Sequence, residues 1–388
     1  MAGVAATAVA AWSVTHPRSS PLTGGGSATH AVLVAGIVGA FALYLAGVWL
    51  LHGRSARPGA VLAVAAAIQL TPLAAPLLLS QDAYVYWDYG RIAHVHDANP
   101  YTALPSQFPD DPAYPLMGRD WHRTTSAYGP AWTLIGEGDA AAAGDSKHAA
   151  AWIYRVLGGL SALGLAGVAS AAAAPGTRAF AAAFVGWNPL LALHFAGGGH
   201  NDALMMALAI GGLALAQRGR RQLGGAAWAA AISIKWLPAL ALPFVLVRER
   251  RRFGYAGFVV AALALGAAAT ARYGVHWLHA AAPISNQLQR ANSLSPVHYL
   301  IRAGLGLKVA AGILTAGFAA VYLWLLRAAW LGRPRIGLLL GLFTLTLAWL
   351  APWYAAWPLA FAAIEEDAAA RLLALALSAY LLSDAVPL

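Results

Sequence analysis

The sequence predicts an all-α, polytopic transmembrane helix bundle, and three observations predict it. Hydrophobic residues make up 60% of the 388 and charged residues only 10%, against roughly 25% charged in an ordinary soluble domain, and the mean hydropathy is +0.61. Apolar stretches recur at the length, about 20 residues, with which a helix crosses the hydrocarbon core. Basic residues gather in the short gaps between those stretches. A water-soluble chain of this size has too few charges to cover its surface, whereas a helix in lipid satisfies its own backbone polar groups. The composition also excludes disorder, collagen and coiled coil, and the absence of cysteine excludes a disulfide scaffold.

In chain order the apolar stretches lie near 30–52, 58–79, 150–174, 178–196, 253–271, 303–326 and 370–386, with shorter ones at 1–13, 201–217, 336–351 and 355–366. About 11 to 12 membrane segments are expected from them. The stretch 1–13 reads as a first membrane helix rather than a cleaved signal peptide, because no small-residue cleavage site follows it cleanly. Three parts follow: N-terminal helices over 1–79, a large outer loop over 80–149, and a bundle over 150–388 with a second outer loop at 272–302.

The charge of +10 is explained by position. Arg54 and Arg57, Arg178, Arg218 to Arg221, Arg248 to Arg252, and Arg327 to Arg335 all mark gaps that the positive-inside rule makes cytoplasmic. Nucleic acid is therefore not an expected partner, and the loops 80–149 and 272–302 are expected on the outer side of the membrane. Nine of the fifteen carboxylates lie in 80–149, with six prolines and many aromatics. Such a loop is functional or disordered, and its aromatics argue for an ordered lid on the bundle. Residues 223–247 are flanked by arginines on both sides but are too short to cross twice, which needs about 40 residues. They fit a hairpin of half-length helices that breaks near Lys235-Trp236-Leu237-Pro238, and such breaks occur at membrane depth where they line a cavity. Lys235 at its tip reads as functional, or as a paired or snorkelling lysine.

Four polar islands interrupt the outer ends of the apolar runs. The first is Gln81-Asp82-Ala83-Tyr84-Val85-Tyr86-Trp87-Asp88-Tyr89-Gly90-Arg91, followed by His94, His96 and Asn99. Asp82, at a helix mouth, suits a partly desolvated base; the alternative is a solvated loop acid. Asp88 is a weaker candidate, with pairing to Arg91 as its structural alternative. In the second island Tyr128 offers a hydroxyl or a stacking face to a sugar, unless Gly129-Pro130 make it part of a turn. The third sets His200, Asn201 and Asp202 after three glycines; either Asn201 or Asp202 can also cap a helix. The fourth comprises Asn286, Arg290 and Asn292, joined later by Trp353, Tyr354 and Trp357, whose aromatics also fit an interfacial belt. No P-loop, dinucleotide fingerprint, zinc helix or nucleophile elbow is present, and Asp82, Asp88, His94 and His96 match no metal-site spacing. No metal or cofactor is expected.

At these islands the sequence resembles the GT-C integral-membrane glycosyltransferases, and within them the actinobacterial polyprenol-phosphomannose-dependent α-1,6-mannopyranosyltransferases of lipomannan synthesis. The matching pieces are QDAYVYWDYGRIAHVHDANPY, SAYGPAW, GGGHNDALMMALA, SIKWLPALALPF and APWYAAWPLA, in order across roughly 60–360. The resemblance implies a GT-C-like bundle, a polyprenyl-phosphate-mannose donor, a mannoside or lipoglycan acceptor of the cell envelope, and an inverting, metal-independent transfer forming an α-(1→6) link. It makes Asp82 the catalytic base. Arg91, His200, Lys235 and Arg290 become candidates for the donor phosphate. Tyr86, Asp88, Asn99, Tyr128, Asn201, Asp202, Asn292, Trp353 and Tyr354 become candidates for sugar or acceptor. Another polyprenyl-phosphate sugar such as arabinose, a transporter or flippase of lipid-linked sugars, and a non-catalytic scaffold are the competing readings.

Overall fold

The structure is a computed structural model that describes residues 27–77, 79–280 and 291–382. The expected helix at 1–13, and Asn286 and Arg290, lie outside the described residues. Within them the chain is all-helical and contains no strand. The helices are α1 (Ser27–Leu51), α2 (Pro58–Leu70), α3 (Asp82–His94), α4 (Pro130–Ala143), α5 (Lys147–Ala172), α6 (Arg178–Gly186), α7 (Pro189–Phe195) and α8 (Asp202–Gln217). Then follow α9 (Arg221–Ile234), α10 (Leu237–Glu249), α11 (Tyr255–Tyr273), α12 (Pro296–Arg302), α13 (Leu307–Trp330), α14 (Ile336–Thr344), α15 (Ala356–Ala362) and α16 (Ala368–Leu381).

Four helical stretches are long and apolar enough to cross a membrane: Val34–Leu51, Lys147–Ala172, Tyr255–His279 and Leu307–Trp330. α5 is the most enclosed of them and packs on α8, which packs on α9, which packs on α11. α1, α11 and α13 instead leave Leu43, Leu263 and Leu323 exposed, the pattern of helices whose outer face meets lipid rather than water. The fold is that of a polytopic helical membrane protein.

Several expected spans are broken, most of them beside a proline. The stretch 58–79 ends as α-helix at Leu70 and tightens into a 3-10 turn, Thr71–Ala74, around Pro72. The stretch 178–196 splits between α6 and α7, because Pro189 disfavours helical geometry at Asn188, whose side chain instead accepts from the Leu190 N–H at 3.0 Å. The stretch 336–351 stops at Thr344, and a second 3-10 turn, Pro352–Ala355, precedes α15. α9 and α10 break at Lys235 and Trp236, and the Arg221 guanidinium donates to the Arg251 carbonyl at 3.0 Å, so the far ends of this hairpin meet.

A broken helix leaves orphan backbone groups that have no water to turn to. Arg155, buried in α5, donates to the carbonyls of Ala196 (3.0 Å) and Pro72 (2.6 Å), serving two breaks at once. Gln69 donates to Gly186 (3.1 Å) and Asn188 (3.2 Å). Asn292 donates to the Leu350 carbonyl (2.7 Å) and accepts from its N–H (3.1 Å). Sequence reading missed Arg155 because a lone arginine in an alanine-rich helix carries no spacing signal.

The outer loop is ordered around α3 and α4, which pack against each other. Arg91 holds it together. Its guanidinium bonds both oxygens of Asp111 (2.8 and 2.9 Å), the Gly144 carbonyl (2.7 Å) and Asp145 (2.8 Å). The loop is tied to α11 where Arg272 and Tyr273 donate to Glu137 at 2.6 and 2.7 Å, and where the Asn99 amide donates to the Tyr273 carbonyl at 2.6 Å.

Candidate active site

Three of these interruptions, the turn before α3, the α9–α10 break and the stretch after α14, line one cavity of 520 Å³. Asp82 reaches its wall at the first turn of α3, where a carboxylate suits the positive end of the helix dipole. Its backbone N–H donates to Ser80 Oγ at 3.1 Å. Leu79, also on the wall, holds φ +58, a left-handed conformation costly for a branched side chain. Lys235 enters from the α9–α10 break. Tyr128 is brought in by close backbone contact: Gly129 donates its N–H to the Ile234 carbonyl at 3.0 Å, and a Cβ there would lie 2.2 Å from the Ser233 carbonyl oxygen. Two of the sequence islands, SAYGPAW and SIKWLPA, are thus one structural joint.

The third island closes the back of the wall. Gly199 takes φ +75, and a Cβ there would lie 3.1 Å from that of Tyr154, so only glycine turns the chain this tightly. The turn stacks the His200 ring on Trp353, with centroids 3.6 Å apart and planes 16° apart. His200 Nδ1 stands 3.3 Å from Asp82 Oδ2, close but not aligned as a hydrogen bond. Asp202, fully buried, pairs with Lys235 Nζ at 2.8 Å and accepts from the Trp357 indole at 2.7 Å. Trp357 stacks on Tyr354 at 4.0 Å, and the Lys235 ammonium lies 5.0 Å from the Tyr354 centroid and 5.6 Å from that of Trp357, within cation–π range. The ammonium at membrane depth is therefore compensated by a carboxylate and two aromatic faces.

Of the residues singled out in the sequence, Asp82, Tyr128, Lys235, Asn292, Trp353 and Tyr354 share this wall. The others take different places. His200 and Asp202 stand behind it, against Asp82 and Lys235, because their side chains are buried by the stacked tryptophans. Asn201 is buried with neither amide atom bonded, and its side chain does not cap α8. Tyr86 is not on the wall; it sits edge-on beneath Tyr128 and Trp132, at 4.9 and 5.1 Å. Arg91 and Asn99 are committed to the lid as described, so they do not face a donor. Asp88 is buried in the lid, and Arg91 pairs with Asp111 and Asp145 instead of with it. Trp357, which sequence reading places with the belt aromatics, lines the site too, as do Trp236 and Trp349; Trp236 and Trp349 carry no signal in the sequence beyond aromatic density, which an interfacial belt shares.

The lid carries unusual protonation. Burial opposes ionisation of Asp111, but Arg91, the Ala113 N–H and His96 outweigh it and hold its carboxyl below the usual value. Burial and the neighbouring Asp111 push Asp88 up to about 7, with Arg91 only partly opposing. A carboxyl that titrates near 4 when unfolded and about 7 when folded contributes stability fully present below pH 4 and lost as pH rises through 7. Asp88→Asn is therefore expected to raise Tm at pH 8 and to flatten the loss of stability between pH 4 and 7. Melting curves that keep the wild-type pH dependence would refute this.

Together these features define a polytopic helical membrane protein that encloses a polar site where its helices break. Residues 1–249 match the profile of the family described as alpha-(1->6)-mannopyranosyltransferase, N-terminal domain, and the chain belongs to that family. It is 35% identical over 192 residues to alpha-(1->6)-mannopyranosyltransferase A of Corynebacterium glutamicum, covering 48% of this chain and 37% of that one. It is 30% identical over 346 residues to the protein of that name from Mycobacterium tuberculosis, covering 78% and 65%. A probable alpha-(1->6)-mannopyranosyltransferase of Mycolicibacterium smegmatis is 34% identical over 152 residues, 38% of this chain and 27% of that one. The chain thus spans less than two thirds of each relative's length. No solved structure matches it.

Proposed function

We propose that the protein is an inverting GT-C glycosyltransferase that moves a mannosyl unit from polyprenyl-phosphate-mannose to a hydroxyl of a mannoside or lipoglycan, at the outer face of the membrane, with an α-(1→6) link. The observation that carries the reading is the shared wall: a carboxylate, Asp82, and an ammonium, Lys235, border one cavity ringed by Tyr128, Trp353 and Tyr354. Leu240, Phe343 and Leu347 extend the wall with apolar surface, which suits the isoprenoid chain beside the phosphate. Membership of the family supports mannose as the sugar.

In this reading Asp82 takes the proton of the acceptor hydroxyl as its oxygen attacks C1 from the face opposite the phosphate. The C1–O bond breaks, the polyprenyl phosphate leaves with the electron pair, and the configuration inverts. Negative charge grows on the leaving phosphate in the oxocarbenium-like transition state, where Lys235 stabilises it. His200 holds the Asp82 carboxylate from behind and Asp202 holds Lys235, which makes both positioning residues. The aromatic rings offer stacking faces to the sugar.

Incubating the purified protein with radiolabelled polyprenyl-phosphate-mannose and an α-mannoside acceptor tests the reading. A new mannosidic bond, with activity unchanged by a chelator, is expected. Labelled lipid that moves across proteoliposomes without forming a glycosidic bond would replace the enzyme with a transporter. Transfer of arabinose in preference to mannose would replace the sugar.

A further inference from the structure

A second cavity, of 1260 Å³, lies at the other end of the bundle. α8 and α10 run between the two cavities. α8 carries Asp202 at one end and leads to Gln217 and Arg218 on the second cavity. α10 carries Leu237 on the first wall and Arg248 on the second, about 16 Å away at 1.5 Å per residue. The second wall holds Arg178, Arg218, Arg248, Arg333 and Arg335, and its three carboxylates, Glu365, Glu366 and Asp367, come from one segment.

These arginines belong to the gaps that charge alone assigns to a single side of the membrane, and the fold gathers them around one space. Most of the acid nearby is committed. Glu365 accepts from the Ile336 and Gly337 N–H groups, both at 2.9 Å, at the start of α14. Asp367 binds the Arg335 guanidinium at 2.6 and 2.9 Å. Arg248 pairs with Glu249 at 3.2 Å, and Arg218 donates to the Ala214 and Ala171 carbonyls at 3.3 and 3.5 Å. The Arg178 and Arg333 side chains have no partner among the described residues. The same wall also carries apolar residues, the alanines at 171–174, Val247 and Ile364.

Guanidinium groups over an apolar wall, at the end of a membrane bundle, match a phosphodiester carried on acyl chains. The planar fork binds two phosphate oxygens at once, and basic pockets between membrane helices recognise anionic headgroups. We infer that this cavity binds the phosphate headgroup of an anionic phospholipid, with Arg178 and Arg333 as its free cations. The site is separate from the transfer chemistry and stands whether or not that reading holds.

Native mass spectrometry of the detergent-solubilised protein, titrated with phosphatidylglycerol or phosphatidylcholine of matched chains, tests it. Wild type is expected to retain phosphatidylglycerol preferentially, and the double variant Arg178→Gln/Arg333→Gln to lose that retention roughly tenfold or more. Arg119→Gln/Arg123→Gln, in the lid, is expected to leave it unchanged. Equal retention of both lipids by wild type overturns the inference without recourse to any variant, as does a double variant that retains phosphatidylglycerol normally. Displacement of the lipid by millimolar inorganic phosphate would make this a site for free phosphate instead.

Discussion

Asp82→Asn is expected to fold, bind donor and lose mannosyl transfer by at least about 10²-fold, the lower range for removal of a general base. The amide keeps the size of the carboxylate but cannot accept the acceptor's proton. The loss should fall on kcat with little change in donor KM, because in the proposed reaction Asp82 acts on the hydroxyl and not on the lipid phosphate. Asp82→Ala should behave alike, since only one side-chain neighbour, His200 at 3.3 Å, leans on the carboxylate. Near-normal turnover in either variant removes Asp82 from the chemistry. His200→Gln offers a graded companion: it leaves the carboxylate but removes the ring stacked on Trp353, so a smaller loss is expected there.

Lys235→Met is expected to be nearly as damaging, by two separable routes. It strands the fully buried Asp202 with only the Trp357 indole for a partner. Breaking a buried ion pair from one side costs about 3 to 5 kcal/mol, at the lower end here because the lysine side chain is 20% exposed. It also removes the cation that faces the leaving phosphate in the proposed reaction, worth roughly 10²- to 10³-fold in rate for a single preorganised charge or donor. The double variant Lys235→Met/Asp202→Asn separates the two routes. It should regain most of the lost Tm, because no charge is left unpaired, and recover none of the lost transfer. A double variant that transfers normally would reduce Lys235 to a structural pair with Asp202.

Much of this was legible in the sequence, for reasons that are local. The membrane class follows from composition, and the break at Lys235-Trp236-Leu237-Pro238 follows from a segment too short to cross twice; the breaks at Pro72 and Pro189 instead interrupt stretches, 58–79 and 178–196, that read as continuous spans. Asp82 stood out because a carboxylate at the mouth of an apolar helix has few structural reasons to be there. Arg91 and Asn99 looked like ligand contacts for the same reason and are lid braces instead. Polarity at the outer surface marks a side chain that needs a partner, without saying whether that partner is substrate or protein. Arg91 found Asp111, twenty residues further on.

Chain order and chemistry along single segments therefore account for the class, the hairpin break at Lys235 and the leading carboxylate. Which side chains share a wall was decided only when the segments packed. His200 reads like Lys235 in sequence, yet one is buried behind Asp82 and the other lines the cavity. Trp353, Tyr354 and Trp357 read as a belt, yet Tyr354 and Trp357 flank an ammonium and Trp353 stacks on His200. The physical reason is that a membrane helix has apolar neighbours on every side, so polarity contrast along the chain does not reveal its rotation. That rotation is set by close contacts between distant segments, as at Gly129 against Ser233 and Gly199 against Tyr154. Those contacts turn separate polar islands into one site.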